Sequence, residues 1–76
     1  SLDQLRLFLA VVDQGSFGGA ARNLGRAVSA VSYGIAQIEA QLGVTLFARE
    51  GSRRPELTEA GAGLLAEARA VADAAD

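Results

Sequence analysis

The sequence predicts one small, mainly α-helical domain that carries a single short β-hairpin. Three observations lead to this prediction. Apolar residues recur at helical spacing in four separate stretches. The first three stretches are each followed by a glycine, the residue that most often ends a helix. Residues 44–58 differ, because they form two short extended segments around a turn rich in glycine, serine and proline.

Composition limits what such a domain can do. The chain has 76 residues, half of them apolar and one of them proline, which argues against disorder. No apolar run approaches the ~20 residues of a membrane span and no signal sequence is present, so we expect a soluble, cytoplasmic domain with no membrane partner. Cysteine and histidine are both absent. Disulfides, the usual zinc sites and imidazole catalysis are therefore excluded, and no cofactor is expected.

The charge distribution is uneven along the chain. The formal net charge is −2, yet all seven basic residues are arginines and five of them lie between positions 22 and 54. That window holds only two acids, Glu39 and Glu50, so it is locally basic while both flanks are acidic. Such an asymmetry steers a polyanion to one part of the surface.

Two helices are predicted in the first 25 residues. Leu5, Phe8, Leu9 and Val12 follow the i, i+3, i+4, i+7 spacing of an apolar helical stripe that ends before Gly15. Ser16 is then a good N-cap for a short second helix, and Gly25 is suited to terminate it in the left-handed conformation. The inward side of this second helix is predicted to hold Phe17, Ala20, Ala21 and Leu24.

A third, longer helix is predicted over residues 28–42, before Gly43. At 100° per residue one side is apolar and should be buried. That side consists of Val28, Val31, Ile35, Ile38 and Leu42. The opposite side holds Ser29, Tyr33, Ala36 and Ala40, flanked by Ser32 and Gln37. It carries hydroxyls, an amide and a phenol, and no charge.

A wing is predicted over residues 46–57, and a last helix over 59–76 with Thr58 as its N-cap. The last helix carries a heptad-like seam of alternating small and large residues. The seam consists of Gly61, Leu64, Ala68, Val71 and Ala75. It could close the domain's own core or pair with a second copy, and the second possibility is favoured because three helices already serve the core. Arg69, on the same helix, is expected to pair with a nearby acid such as Glu67 or Asp73.

The order of these elements is that of a winged helix-turn-helix in residues 1–58, followed by a linker and dimerisation helix in 59–76. In this fold the third helix lies in the major groove, where uncharged donors and acceptors meet base edges and arginines meet phosphates. The residues predicted to contact DNA are Arg22, Arg26, Ser29, Ser32, Tyr33, Gln37, Arg49, Arg53 and Arg54.

The chain resembles the N-terminal DNA-binding domain and linker helix of LysR-type bacterial transcriptional regulators. The resemblance rests on "LRLFLAVVDQGSFGGAARNL", "SAVSYGIAQIEAQLGVTLFAR" and "LTEAG", which stand in the family's order and spacing and span nearly the whole chain. The resemblance implies a small-molecule inducer that binds a further domain absent from these residues. From the seam of the last helix we expect a homodimer, or a tetramer of the parent protein, on a twofold-symmetric operator in the bacterial nucleoid.

The chain departs from the family pattern at the start of the third helix. Where Ser-Gln-Pro is frequent in the family, this chain has Ala27, Val28 and Ser29. Ala27 is a poor N-cap, and Val28 cannot hydrogen-bond a base as glutamine does. The next residues, "SAVSY", resemble a variant common in one branch of the family, and this resemblance implies that Ser29, Ser32 and Tyr33 take the contact role.

Two other classes of function compete with DNA binding as interpretations of the sequence. An enzyme is disfavoured, because no nucleophile has a neighbouring base and no carboxylate pair shares a predicted cleft. A dimerisation module that binds an acidic protein instead of DNA is the stronger alternative, since the net charge is itself acidic.

Overall fold

The computed structural model describes residues 2–48 and 54–75, which form four helices and a two-stranded antiparallel sheet. The helices are α1 (Leu2–Gln14), α2 (Phe17–Leu24), α3 (Val28–Leu42) and α4 (Glu59–Ala75), and the strands are β1 (Phe47–Ala48) and β2 (Glu56–Leu57). Phe47 lies opposite Leu57 and Ala48 opposite Glu56. This confirms the mainly helical, winged helix-turn-helix fold class.

Local signals place the helix ends where the sequence predicts them. The Gly19 N–H donates to Ser16 Oγ at 2.8 Å, so Ser16 caps α2. Gly25 has a φ of 66° and Gly43 a φ of 71°, the left-handed conformation that glycine adopts without strain. Ala27 makes no side-chain cap hydrogen bond to α3. The bounds of α3 agree with the predicted 28–42.

The core is built around three phenylalanine rings that contact one another at an angle. The Phe8 and Phe47 ring centroids lie 5.5 Å apart, and Phe17 meets Phe47 edge-on at 5.8 Å. The largest fully buried side chains come from α1, α3 and the start of the wing. They are Phe8, Phe47, Ile35, Leu46, Val11 and Val31.

Two predicted apolar stripes differ in detail from the observed burial. In α1, Leu7 and Ala10 are buried while Leu5, Leu9 and Val12 are only half-buried, because α1 packs against α2, α3 and α4 on several sides. In α3, Val28 is 49% and Leu42 53% exposed. These two residues are the first and last of a helix about 22 Å long, so they lie beyond the core that covers its middle.

β1 begins at Phe47, later than the predicted start of the first extended segment at residue 44, and the Leu46 N–H just before it is bonded to α3 instead of to the facing strand. The Leu46 N–H donates to Glu39 Oε2 at 2.8 Å, and the Leu46 carbonyl accepts from the Thr58 N–H at 3.0 Å. Thr58 Oγ1 donates to the Thr45 carbonyl and accepts from the Gly61 N–H, which makes Thr58 the N-cap of α4. Residues 45–46 are thus tied to the end of α3 and to the start of α4.

Candidate nucleic-acid interface

The outward side of α3 is exposed and polar. Tyr33 is 66% exposed, Ser29 and Gln37 are exposed, and Ser32 is half-buried. Gln37 Nε2 donates to Tyr33 Oη at 3.3 Å, so the phenol and the amide one turn later form one unit. Ser29, Tyr33 and Gln37 follow an i, i+4, i+8 row, and together they present hydroxyl and amide groups that can both donate and accept.

The one charged residue of α3 does not share this side. The Glu39 carboxylate is directed to the start of the wing, where it accepts from the Leu46 N–H. The side formed by Ser29, Tyr33, Ala36 and Gln37 is therefore uncharged, as the sequence predicts. A surface of this kind can meet base edges without repelling the phosphates that flank them.

Two predicted phosphate contacts lie at the entry to α3. Arg22 is exposed near the end of α2, with its guanidinium over Gly18. Arg26, in the turn before α3, makes a bidentate ion pair with Asp3 of α1, from Nη1 to Oδ2 at 3.1 Å and from Nη2 to Oδ1 at 2.8 Å. The hydrogen bond from Arg26 lowers the pKa of Asp3, and the same hydrogen bond raises the pKa of Arg26.

The wing contributes one described arginine. Arg54 is exposed, and its guanidinium lies over Gly15, at 3.7 Å from where a Cβ on that glycine would stand. This contact places the base of the wing beside the turn between α1 and α2. Arg49 and Arg53, the other two predicted wing contacts, lie outside the described residues.

The residues of the predicted dimer seam of α4 fall into two groups, one packed against the chain's own core and one away from it. Gly61 and Ala68 are buried and Leu64 is half-buried against the core of the same chain. Gly61 lies against the Leu46 carbonyl so closely that a Cβ there would overlap it. These three residues thus close the core of their own chain on the side of α1 and the wing.

The rest of the seam lies away from that core. Val71 is 49% exposed, and the side chain of Ala75 is outside the described part of the chain. As a dimer contact the seam stays a prediction, and Val71 is its exposed described member. Next to it in the fold, a shallow groove between α1, α3 and α4 is lined by Gln4, Leu5, Ile38, Gln41, Leu42 and Leu64.

Both described ion pairs join segments far apart in sequence, and sequence reasoning missed both. Asp3 and Arg26 are 23 positions apart, and Arg69 pairs with Asp13 of α1 at 2.9 Å instead of with Glu67 or Asp73. No local pattern signals either pair, because each depends on how α1 packs against a later element.

Within residues 2–48 and 54–75, no helix combines the length and apolar character needed to cross a bilayer.

Known proteins are similar to this chain over its whole length. The family model for bacterial regulatory helix-turn-helix proteins of the lysR family matches residues 2–62. The HTH-type transcriptional regulator YhaJ of Escherichia coli O157:H7 is 42% identical over 76 residues, which is 100% of this chain and 25% of that protein. The chain spans 20% to 25% of the length of the curated relatives it matches first.

Solved structures with the same fold include DNA complexes. The BenM DNA-binding domain with catB site 1 DNA has a TM-score of 0.94 and 36% identity, covering 100% of this chain and 81% of that one. The CbnR DNA-binding domain with DNA has a TM-score of 0.91 and 35% identity, covering 99% of this chain and 85% of that one. The similarity therefore extends from α1 to α4.

Proposed function

The chain belongs to the lysR family of bacterial regulatory helix-turn-helix proteins, and we propose that it binds double-stranded DNA with sequence specificity. In this proposal α3 lies in the major groove and the wing, residues 46–57, lies on the flanking backbone or minor groove. The observation that carries the proposal is the exposed, uncharged row of Ser29, Tyr33 and Gln37 on α3. Ser32, half-buried beside Tyr33, completes the proposed base contacts.

The proposed phosphate contacts surround that row. Arg22 and Arg26 lie before α3, and Arg54 lies at the base of the wing. Arg49 and Arg53, outside the described residues, belong to the same stretch of sequence and are proposed as phosphate contacts from their position in it. Guanidinium groups suit this role because they bind phosphate oxygens with paired N–H donors. Members of the family are transcriptional regulators, not enzymes, and regulation of transcription in the bacterial cytoplasm, at the nucleoid, is the role we propose for the parent protein.

Selection of bound sites from random duplexes, followed by a salt series on the selected site, tests this function. We expect a twofold-symmetric motif and a linear fall of log affinity with log salt concentration, at a slope of about −0.9 per phosphate contacted. The competing function, a protein-interaction module that does not bind DNA, predicts no enriched motif and no such slope. A flat salt series without an enriched motif would contradict the proposal.

We further propose that residues 59–76 form the dimerisation element and residues 1–58 the DNA-binding unit. Exposed apolar side chains support this division, since Val71 on α4 and Leu42, which lines the groove, remain uncovered in one chain. Two copies joined by α4 would present two α3 helices to one side of a twofold-symmetric site. A small-molecule inducer would act through a further domain of the parent protein.

Val71→Glu tests the dimer better than a change at Leu64, because Leu64 also packs against the core of its own chain. The charged side chain would be buried in the interface, so we expect a shift toward monomer in sedimentation and weaker binding to a full site. Ala66→Glu is the matched control, since Ala66 is exposed and lies about 140° around the helix from Val71. Equal sedimentation of both variants and the unaltered chain would exclude α4 as the interface.

A further inference from the structure

The ion pair between Arg26 and Asp3 stands at the edge of the proposed DNA-contacting surface. Arg26 precedes α3 by two residues, and Asp3 lies in the first turn of α1. The two side chains are joined by two hydrogen bonds, at 2.8 and 3.1 Å, and yet remain 40% and 58% exposed. The cation at the entry to α3 is thus neutralised by the protein itself while it stays open to solvent.

We propose that Asp3 competes with DNA for Arg26 and thereby sets the affinity of the domain. The proposal rests on the proposed function, because it takes Arg26 to be a phosphate contact. A carboxylate and a phosphate bind a guanidinium in the same bidentate way. The edge formed by Nη1 and Nη2 is occupied by Asp3, so a phosphate gains that edge only when the carboxylate releases it.

The carboxylate also acts through its charge. It lies within hydrogen-bond distance of Arg26, and so within one Debye length, about 8 Å at physiological salt, of a phosphate that Arg26 contacts. Dissolved salt therefore screens the repulsion between the Asp3 carboxylate and that phosphate only in part. Exposed ion pairs are weak, which means that Asp3 lowers the affinity of this contact without abolishing it.

The chain offers a matched control in its second described ion pair. Asp13 accepts from Arg69 at 2.9 Å, and the two side chains are 53% and 52% exposed. This pair joins the last turn of α1 to α4, and neither residue is a proposed DNA contact. Asp3→Asn and Asp13→Asn remove the same formal charge and open one exposed ion pair each, but they release different arginines. They also lie at opposite ends of α1, so their effects on helix stability differ and are followed by thermal melts.

The test measures dissociation constants of the unaltered chain and both variants over a salt series, on the selected duplex and on a random one. Asp3→Asn is expected to tighten binding to both duplexes about two- to fivefold, as opening an exposed ion pair allows. It should also steepen the salt slope by at most about 0.9, the value of one complete phosphate contact, because Arg26 already makes part of that contact in the unaltered chain. Asp13→Asn should change neither quantity beyond a factor of about 1.5 in affinity.

Three results would overturn the competition. Equal effects of Asp3→Asn and Asp13→Asn on affinity would assign the change to net charge alone. Weaker DNA binding by Asp3→Asn would mean that Asp3 holds Arg26 in position for DNA instead of competing with it. The full effect of Asp3→Asn persisting in an Arg26→Ala background would show that Arg26 is not its target. If the unaltered chain lacks salt-dependent binding, the proposed function fails first, which separates the two failures. Thermal melts of each variant check that the fold is retained.

Discussion

α3 and α4 pack against the same core in different ways. α3 fully buries Val31, Ile35 and Ile38, whereas the described residues that α4 fully buries are Gly61 and Ala68. α3 also buries Gly34, but a Cβ there would meet the side chain of Leu7, which can move, and the other side of α3 is left to solvent. α4 instead approaches the wing where no side chain fits, because Gly61 lies against the Leu46 carbonyl. Substitutions on the exposed side of α3 should therefore alter binding, while substitutions at the start of α4 should alter folding.

The largest expected effect is at Gly61. Gly61→Ala places a methyl group on the Leu46 carbonyl, which belongs to the backbone and cannot rotate away, so we expect the free energy of unfolding to fall by about 1–3 kcal/mol. Gly63→Ala is the control in the same helix, because a Cβ there meets open space and the better helix propensity should add up to about 1 kcal/mol. Thermal melts would separate them by several degrees. Stabilisation by both changes would contradict the close approach of α4.

Tyr33 tests the other helix. Tyr33→Ala removes an exposed phenol, so the melting curve should be unaltered while binding to the selected duplex weakens by roughly 1–3 kcal/mol. Binding to a random duplex should change little, because the contact reads a base. Fluorescence anisotropy on both duplexes measures the difference. Equal losses on the two duplexes would make Tyr33 a phosphate contact.

The wing is expected to give a smaller and less specific effect. Replacing Arg53 and Arg54 by alanine should weaken binding to selected and random duplexes alike and flatten the salt slope by about 1–2 units. Arg69→Ala, on α4, removes an arginine that pairs with Asp13, and it should leave the slope as it is. A slope unchanged by the double substitution would remove the wing from the interface.

The smallest effect concerns the entry to α3. Arg26 holds the pKa of Asp3 below its ordinary 3.8, so Arg26→Ala should raise that pKa toward 3.8 in an NMR titration of the carboxyl group. A lowered pKa stabilises the fold above pH 3.8, and this contribution is lost as the pH falls through the pKa of the folded state. Because both side chains are exposed, the melting temperature at neutral pH should barely move. If the pKa of Asp3 is the same in the unaltered chain and in Arg26→Ala, the ion pair between Asp3 and Arg26 does not form in solution.

Local signals explain which parts of this fold could be predicted from the sequence. Ser16, Gly25, Gly43 and Thr58 act on groups within a few residues, and the helix bounds they predict are those observed. The same holds for the uncharged side of α3, which follows from periodicity alone.

Periodicity does not say what covers a side of a helix. The spacing of Gly61, Leu64 and Ala68 correctly places them together, but only the position of Leu46 and α1 shows that the chain's own core covers them. The partners of Arg26 and Arg69 were missed for the same reason, since Asp3 and Asp13 are brought close by tertiary packing. Signals of this kind act across the fold and leave no local trace.

The backbone of Leu46 links α3 to α4, and this link limits how the domain can be redesigned. Its N–H is bonded to Glu39 at the end of α3 and its carbonyl to the N–H of Thr58 at the start of α4, so the two helices cannot reorient separately without losing one of these bonds. Ser29, Tyr33 and Gln37 lie before Glu39 and outside this junction. We therefore expect that substitutions at the exposed positions of residues 29–37 can change the operator sequence that is bound. The spacing between the two operator halves should stay that of the unaltered protein.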